Sequence, residues 1–214
     1  MLRCHRILLP ALALCLALAP TPSAARTTGV VTAGFLLETL GSQFASFGGT
    51  SFIKARGQTF TAEVSGQLVS VALRLGLDSP SESTVRIGVH AVDGNGLPVQ
   101  PPLAVEDFSA DLIPIEPDFG FVDFDLSADT AQLAAGVEYA ITVVIDPIDP
   151  APAPFVLNGS ATDGGYDGGM ELRTFDGTTW ERTDTGDVHF EVRVDDTVSA
   201  QAQSIGATKA RFRR

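Results

Sequence analysis

From Gln58 onward, apolar side chains recur at every second position in run after run. Only an extended chain with one buried face satisfies that period. In "LVSVALRLGL" Val69, Val71, Leu73, Leu75 and Leu77 fall on one side, with Ser70, Ala72, Arg74 and Gly76 on the other. "TVRIGVHAV" repeats the pattern with Val85, Ile87, Val89 and Ala91, and "VEYAITVVI" with Val137, Tyr139, Ile141, Val143 and Ile145. "VHFEVRV" sets Val188, Phe190, Val192 and Val194 against His189, Glu191 and Arg193. Between the runs stand "DSPSES", "DGNGLP", "DPIDPAPAP" and "DGTT", all rich in residues that turn the backbone. No segment in this region carries a helical period over three turns. Many short strands at this spacing predict an all-β fold, a two-sheet antiparallel sandwich of jelly-roll type. The expected core includes Val71, Leu73, Val89, Tyr139, Ile141, Phe190 and Val192.

The ends of the chain read differently. Arg3 and Arg6 precede the apolar run "ILLPALALCLALA" and the small residues "TPSAA". Residues 1–25 therefore read as a secretory signal peptide, too short for a membrane span. Cys4 and Cys15 are the only two cysteines and both lie within it, so the expected mature chain has no disulfide. The expected location is extracellular or at the cell surface, with the periplasm as a further destination. Residues 26–56 read as an edge strand or a short helix, residues 57–194 as the sandwich domain, and 195–214 as a disordered, basic-ended tail. The whole sequence carries 14 Lys+Arg against 26 Asp+Glu, a net charge of −12. That balance argues against nucleic acid or an anionic membrane as partner.

The order of "GQTFTA", "LVSVALRLGL", "TVRIGVHAVDGNGLP", "LAAGVEYAITV", "YDGGMELRTFDGTTW" and "GDVHFEVRV" resembles the "choice-of-anchor" domains of bacterial surface proteins. The "DGNGLP" turn and the L-x-x-G-x-x-Y entry to a later strand carry the likeness most, over residues 57 to 194. The resemblance implies a sandwich like that of carbohydrate-binding modules, exposed at the cell surface, with no catalytic residues to transfer.

Catalysis finds no constellation in the sequence. His90 and His189, the imidazoles outside the leader, sit at outward positions of alternating strands and read as solvated residues. No nucleophile elbow, phosphate loop or zinc-binding helix motif is present. A glycosidase would need two carboxylates about 5 to 10 Å apart across a cleft, and nothing marks such a pair. The reading is a non-enzymatic module of the cell surface or matrix. The alternative is an extracellular polysaccharide-acting hydrolase or its accessory domain.

Two candidate sites share the stretch "TDGGYDGGMELRTFDGTTWERTDTGD". Asp163, Asp167, Asp184 and Asp187 could supply carboxylate ligands to a structural calcium ion, which wants six to eight oxygens. The same Asp-Gly pairs are also the commonest turn signal, and plain turns are the favoured reading. Tyr166 and Trp180 are the aromatic side chains expected to be exposed for glycan binding, which needs a ring face beside polar groups.

Overall fold

The computed structural model describes residues 29–35, 43–46, 53–77, 79–81, 83–115, 120–146, 154–159, 165–183 and 186–196. Residues 1–28, most of the tail, Asp163 and Asp184 lie outside these residues. The described chain forms two sheets, and every pairing between named strands is antiparallel. Among the described residues the helical elements are two 3-10 turns, Ala110–Leu112 and Ser127–Asp129, and no helix is long and apolar enough to cross a membrane.

One sheet has six strands in the order β12 (Trp180–Thr183), β11 (Glu171–Thr174), β3 (Ala55–Thr61), β9 (Glu138–Asp146), β5 (Thr84–Ala91) and β6 (Ala104–Ser109). The other is built around the long strand β4 (Gly66–Leu77). On one side β4 meets β14 (Phe190–Asp195), which is flanked in turn by β1 (Val30–Phe35). On its opposite side it meets β7 (Gly120–Asp125) and then β8 (Gln132–Leu133). Its last residues pair with β10 (Pro154–Gly159), which also holds β2 (Gln43–Ser46) and β13 (Asp187–Val188).

The core lies between the sheets, where the alternating side chains meet. Phe60 of β3 packs 5.8 Å from Tyr139 on its own sheet and 6.1 Å from Phe190 on the other, centroid to centroid. All seven core residues expected from the alternation are buried. Ile141 is 1 % exposed in the middle of β9. We expect Ile141→Val to cost about 0.5 to 1.5 kcal/mol in urea unfolding. A midpoint identical to wild type would mean that this face of β9 is not packed.

Two positions read as inward-facing are corrected, although Val69 is itself buried. Val69 lies outside the core cluster and Leu68 takes the place expected for it. The register with β14 slips there, since Arg193 faces Ser70 while Val194 faces Leu68. That extra residue is a β-bulge, which turns the side-chain alternation over. The same spot is where β4 changes partner from β7 to β8. Val137 is 43 % exposed because it belongs to the turn before β9, not to the strand.

That turn explains the L-x-x-G-x-x-Y pattern. Leu133 is buried, Gly136 adopts φ 78°, and the Ala134 N–H donates to the Tyr139 hydroxyl at 2.9 Å. The glycine supplies a backbone conformation that side-chain-bearing residues resist, and the tyrosine closes the turn from inside the core. In "DGNGLP" the Asp93 carboxylate does the equivalent work by accepting the Asn95 and Leu97 N–H groups at 2.8 and 2.9 Å.

Candidate functional site

The Gly-rich stretch forms two separate pieces of structure. Its first half closes one end of the sandwich. Tyr166, expected to be exposed, is half-buried, with its ring edge-on to Phe190 at 5.1 Å and 6.2 Å from Phe35. Burial pushes its phenol above the ordinary value. Asp187 is buried and accepts from Gln58 Nε2 at 2.9 Å and from the Tyr166 N–H at 2.8 Å. Gln58 in turn accepts from the Val188 N–H at 3.0 Å. The Asp187 carboxylate thus clasps the loop to β3. Asp167 is exposed in the turn beyond it. Among the described residues no group of three or more metal-ligating side chains comes together.

The second half is the β11–β12 hairpin. Asp176 accepts from the Thr178 and Thr179 N–H groups at 2.8 and 2.6 Å and from the hydroxyls of Thr179 and Thr174 at 2.7 and 3.0 Å. These donors hold its carboxyl well below the usual range. The hairpin sets Trp180 on the outer face of the six-stranded sheet, away from Tyr166, so the two rings form no common platform.

Cross-strand register shows what Trp180 faces. Residues directly opposite in neighbouring strands share a face. One row therefore runs Trp180, Thr174, Ala55, Val144, Arg86, Asp107 across all six strands. The row two residues along runs Arg182, Leu172, Gly57, Thr142, Gly88, Val105. Both rows have small side chains over the middle strands and larger ones toward the edges. The result is a groove of about 530 Å³ on the sheet's outer face, lined by Trp180, Val144, Thr142, His90, Arg86 and Asp107 among others. Its volume is typical of small-molecule sites.

The groove is chemically mixed. Arg86 donates to both oxygens of Asp107 at 2.7 and 2.9 Å, which holds that carboxyl below its usual value. Arg182 is anchored by the Asn95 carbonyl and by Glu138, each at 3.2 Å. His90 leans over Gly88, where a Cβ would stand 2.8 Å from its Nε2. Its Nδ1 lies 3.1 Å from the Val99 carbonyl and its Nε2 3.0 Å from Thr142 Oγ1. A carbonyl can only accept, so Nδ1 carries the proton and the Thr142 hydroxyl donates to Nε2. Burial lowers the His90 pKa and keeps this neutral tautomer.

Both histidines correct the sequence reading. His90 does point away from the core, but residues 97–100 cover it, leaving it 4 % exposed. His189 sits between β13 and β14 and is 0 % exposed. Its ring is edge-on to Phe35 at 5.3 Å, and neither ring nitrogen has a hydrogen-bond partner. Burial, with the Arg74 charge adding to it, takes its pKa down to about 4.

One polar group escapes the sequence reading altogether. Arg56 and Gln58 share the inward side of β3 with Phe60, and Glu171 lies directly opposite Gln58. Arg56 and Glu171 form an ion pair between the sheets, with side chains 8 % and 1 % exposed. No protein-family model matches the chain, and no curated protein matches it.

Proposed function

We propose that the chain is an exported, non-enzymatic β-sandwich module of the bacterial cell surface or matrix, of the choice-of-anchor kind, that binds glycan in the groove across its six-stranded sheet. The observation that carries this reading is the placement of Trp180 on the same row as Arg86 and Asp107, with Thr142 on the neighbouring row and His90 leaning over Gly88 of that row. A sugar ring has C–H faces that an indole covers and an edge of hydroxyls that needs donors and acceptors. The groove supplies both. Its residues are fixed by strand register and the Arg86–Asp107 fork, so little is lost to ordering when a ligand enters.

Trp180 is the only tryptophan in the sequence, so intrinsic indole fluorescence reports on this groove alone. A glycan array should identify a ligand, and titration with it should change that fluorescence. We expect Trp180→Ala to weaken binding by about tenfold or more, a loss of at least about 1.4 kcal/mol. A reducing-sugar release assay on the same ligand separates binding from cleavage. Binding that survives Trp180→Ala unchanged would move the site off this face.

A further inference from the structure

Resting on that reading, we infer that the groove selects neutral glycans and rejects polyuronates and other anionic polysaccharides. The inference comes from how its charges are placed. Arg86 is the cation in the groove's lining, and its guanidinium is already forked onto Asp107; Arg182, on the second row beyond that lining, is paired with Glu138. An incoming carboxylate would have to displace Asp107, or sit beside it as a like charge. The remaining titratable lining groups add no positive charge. His90 is buried beneath Val99, and that burial disfavours its charged form. Glu106 lies opposite Ile87, on the other side of β6 from Asp107, and contributes negative charge at the rim. The sequence as a whole carries −12, a field that repels anions on approach. The ligand contacts left are uncharged: the Trp180 face, Val105 and Val144, and the Thr142 hydroxyl, whose oxygen keeps acceptor capacity after donating to His90.

The test uses the full chain and three hexasaccharide probes: a neutral glucan, a polyuronate and a glucosamine oligomer, followed by Trp180 fluorescence at two salt concentrations. The expected result is a response to the glucan that does not vary with salt, with the uronate weaker by about tenfold or more at low salt. Asp107→Asn supplies the converse. It removes the carboxylate forked onto Arg86, so the ratio of uronate to glucan affinity should rise at least about tenfold, whatever the variant does to glucan binding itself. The Arg86–Asp107 pair is half-exposed, and a surface pair of this kind contributes little to stability, so the variant should fold. Uronate or glucosamine binding tighter than glucan in the wild-type chain would overturn the inference while leaving a glycan site standing. No response to any probe, with none on a wider array, would overturn both.

Discussion

Glu171→Gln should cost about 3 to 5 kcal/mol of stability, because it leaves the buried Arg56 guanidinium without its counter-charge. Arg56 already shows the strain of its position. Burial and the nearby Arg173 charge lower its pKa to about 10, and its Nε has no hydrogen-bond partner. Inside the sandwich the Arg56 side chain is only 8 % exposed, so little water reaches the charge that the substitution leaves behind. The pair itself is a different matter, since desolvating two ions offsets most of their attraction. Arg56→Met combined with Glu171→Leu should therefore come out near wild type or above it. Urea unfolding of the two single variants and the double variant tests both statements. If Glu171→Gln cost less than about 1 kcal/mol, the pair would have to be hydrated.

His189→Phe should remove an acid sensitivity of about 3 kcal/mol, the equivalent of lowering one histidine from 6.5 to about 4 on folding. The folded-state pKa lies below the unfolded one, so the unfolded chain binds the extra proton. Stability from this group is therefore complete above pH 6.5. It declines as the pH falls through the interval and is fully lost below about 4. Phenylalanine has the same shape and nothing to protonate. It also removes two buried nitrogens that lack partners. His90, with its pKa likewise lowered, and the carboxylates titrate in both proteins. The comparison is therefore the difference between wild-type and variant melting temperatures at pH 7, 5.5 and 4. A difference that does not widen toward low pH would show that the His189 ring is open to water.

The strands and their inward faces were legible in the sequence because a half-buried strand writes its burial as a local alternation. Val71, Leu73, Ile141, Phe190 and Val192 needed no further information. Val69 was misread because one inserted residue reverses that alternation, and a bulge leaves no mark when the residues on both sides of it are apolar. The histidines were misread for another reason. Alternation tells which side of a sheet a residue takes but not what lies over that side, and the 97–100 segment over His90 is a tertiary fact. Arg56 and Gln58 break the rule outright, as polar residues on a core face whose partners, Glu171 and Asp187, lie more than a hundred residues away. The groove was legible only in part. Trp180 stood out by its type, but its row with Arg86 and Asp107 depends on the register of six strands.

The pairing of β1 with β14 brings Val30 opposite Val194. The first and last strands of the described fold are thus neighbours, and this edge of the sheet is complete only when both exist. A chain emerging from the ribosome must carry residues 30–35 without their partner until 190–195 have been made. Every earlier β4 contact with β7 and β8 can form first, but β14, which pairs along β4 as well as with β1, arrives last. Such sequence-distant pairing carries a loop-closure entropy that is recovered only when β14 docks, so folding is slow and waits for synthesis to pass residue 195. The same adjacency makes the chain a natural substrate for circular permutation, with the old termini joined and a new opening cut at an exposed turn such as Asp93–Leu97.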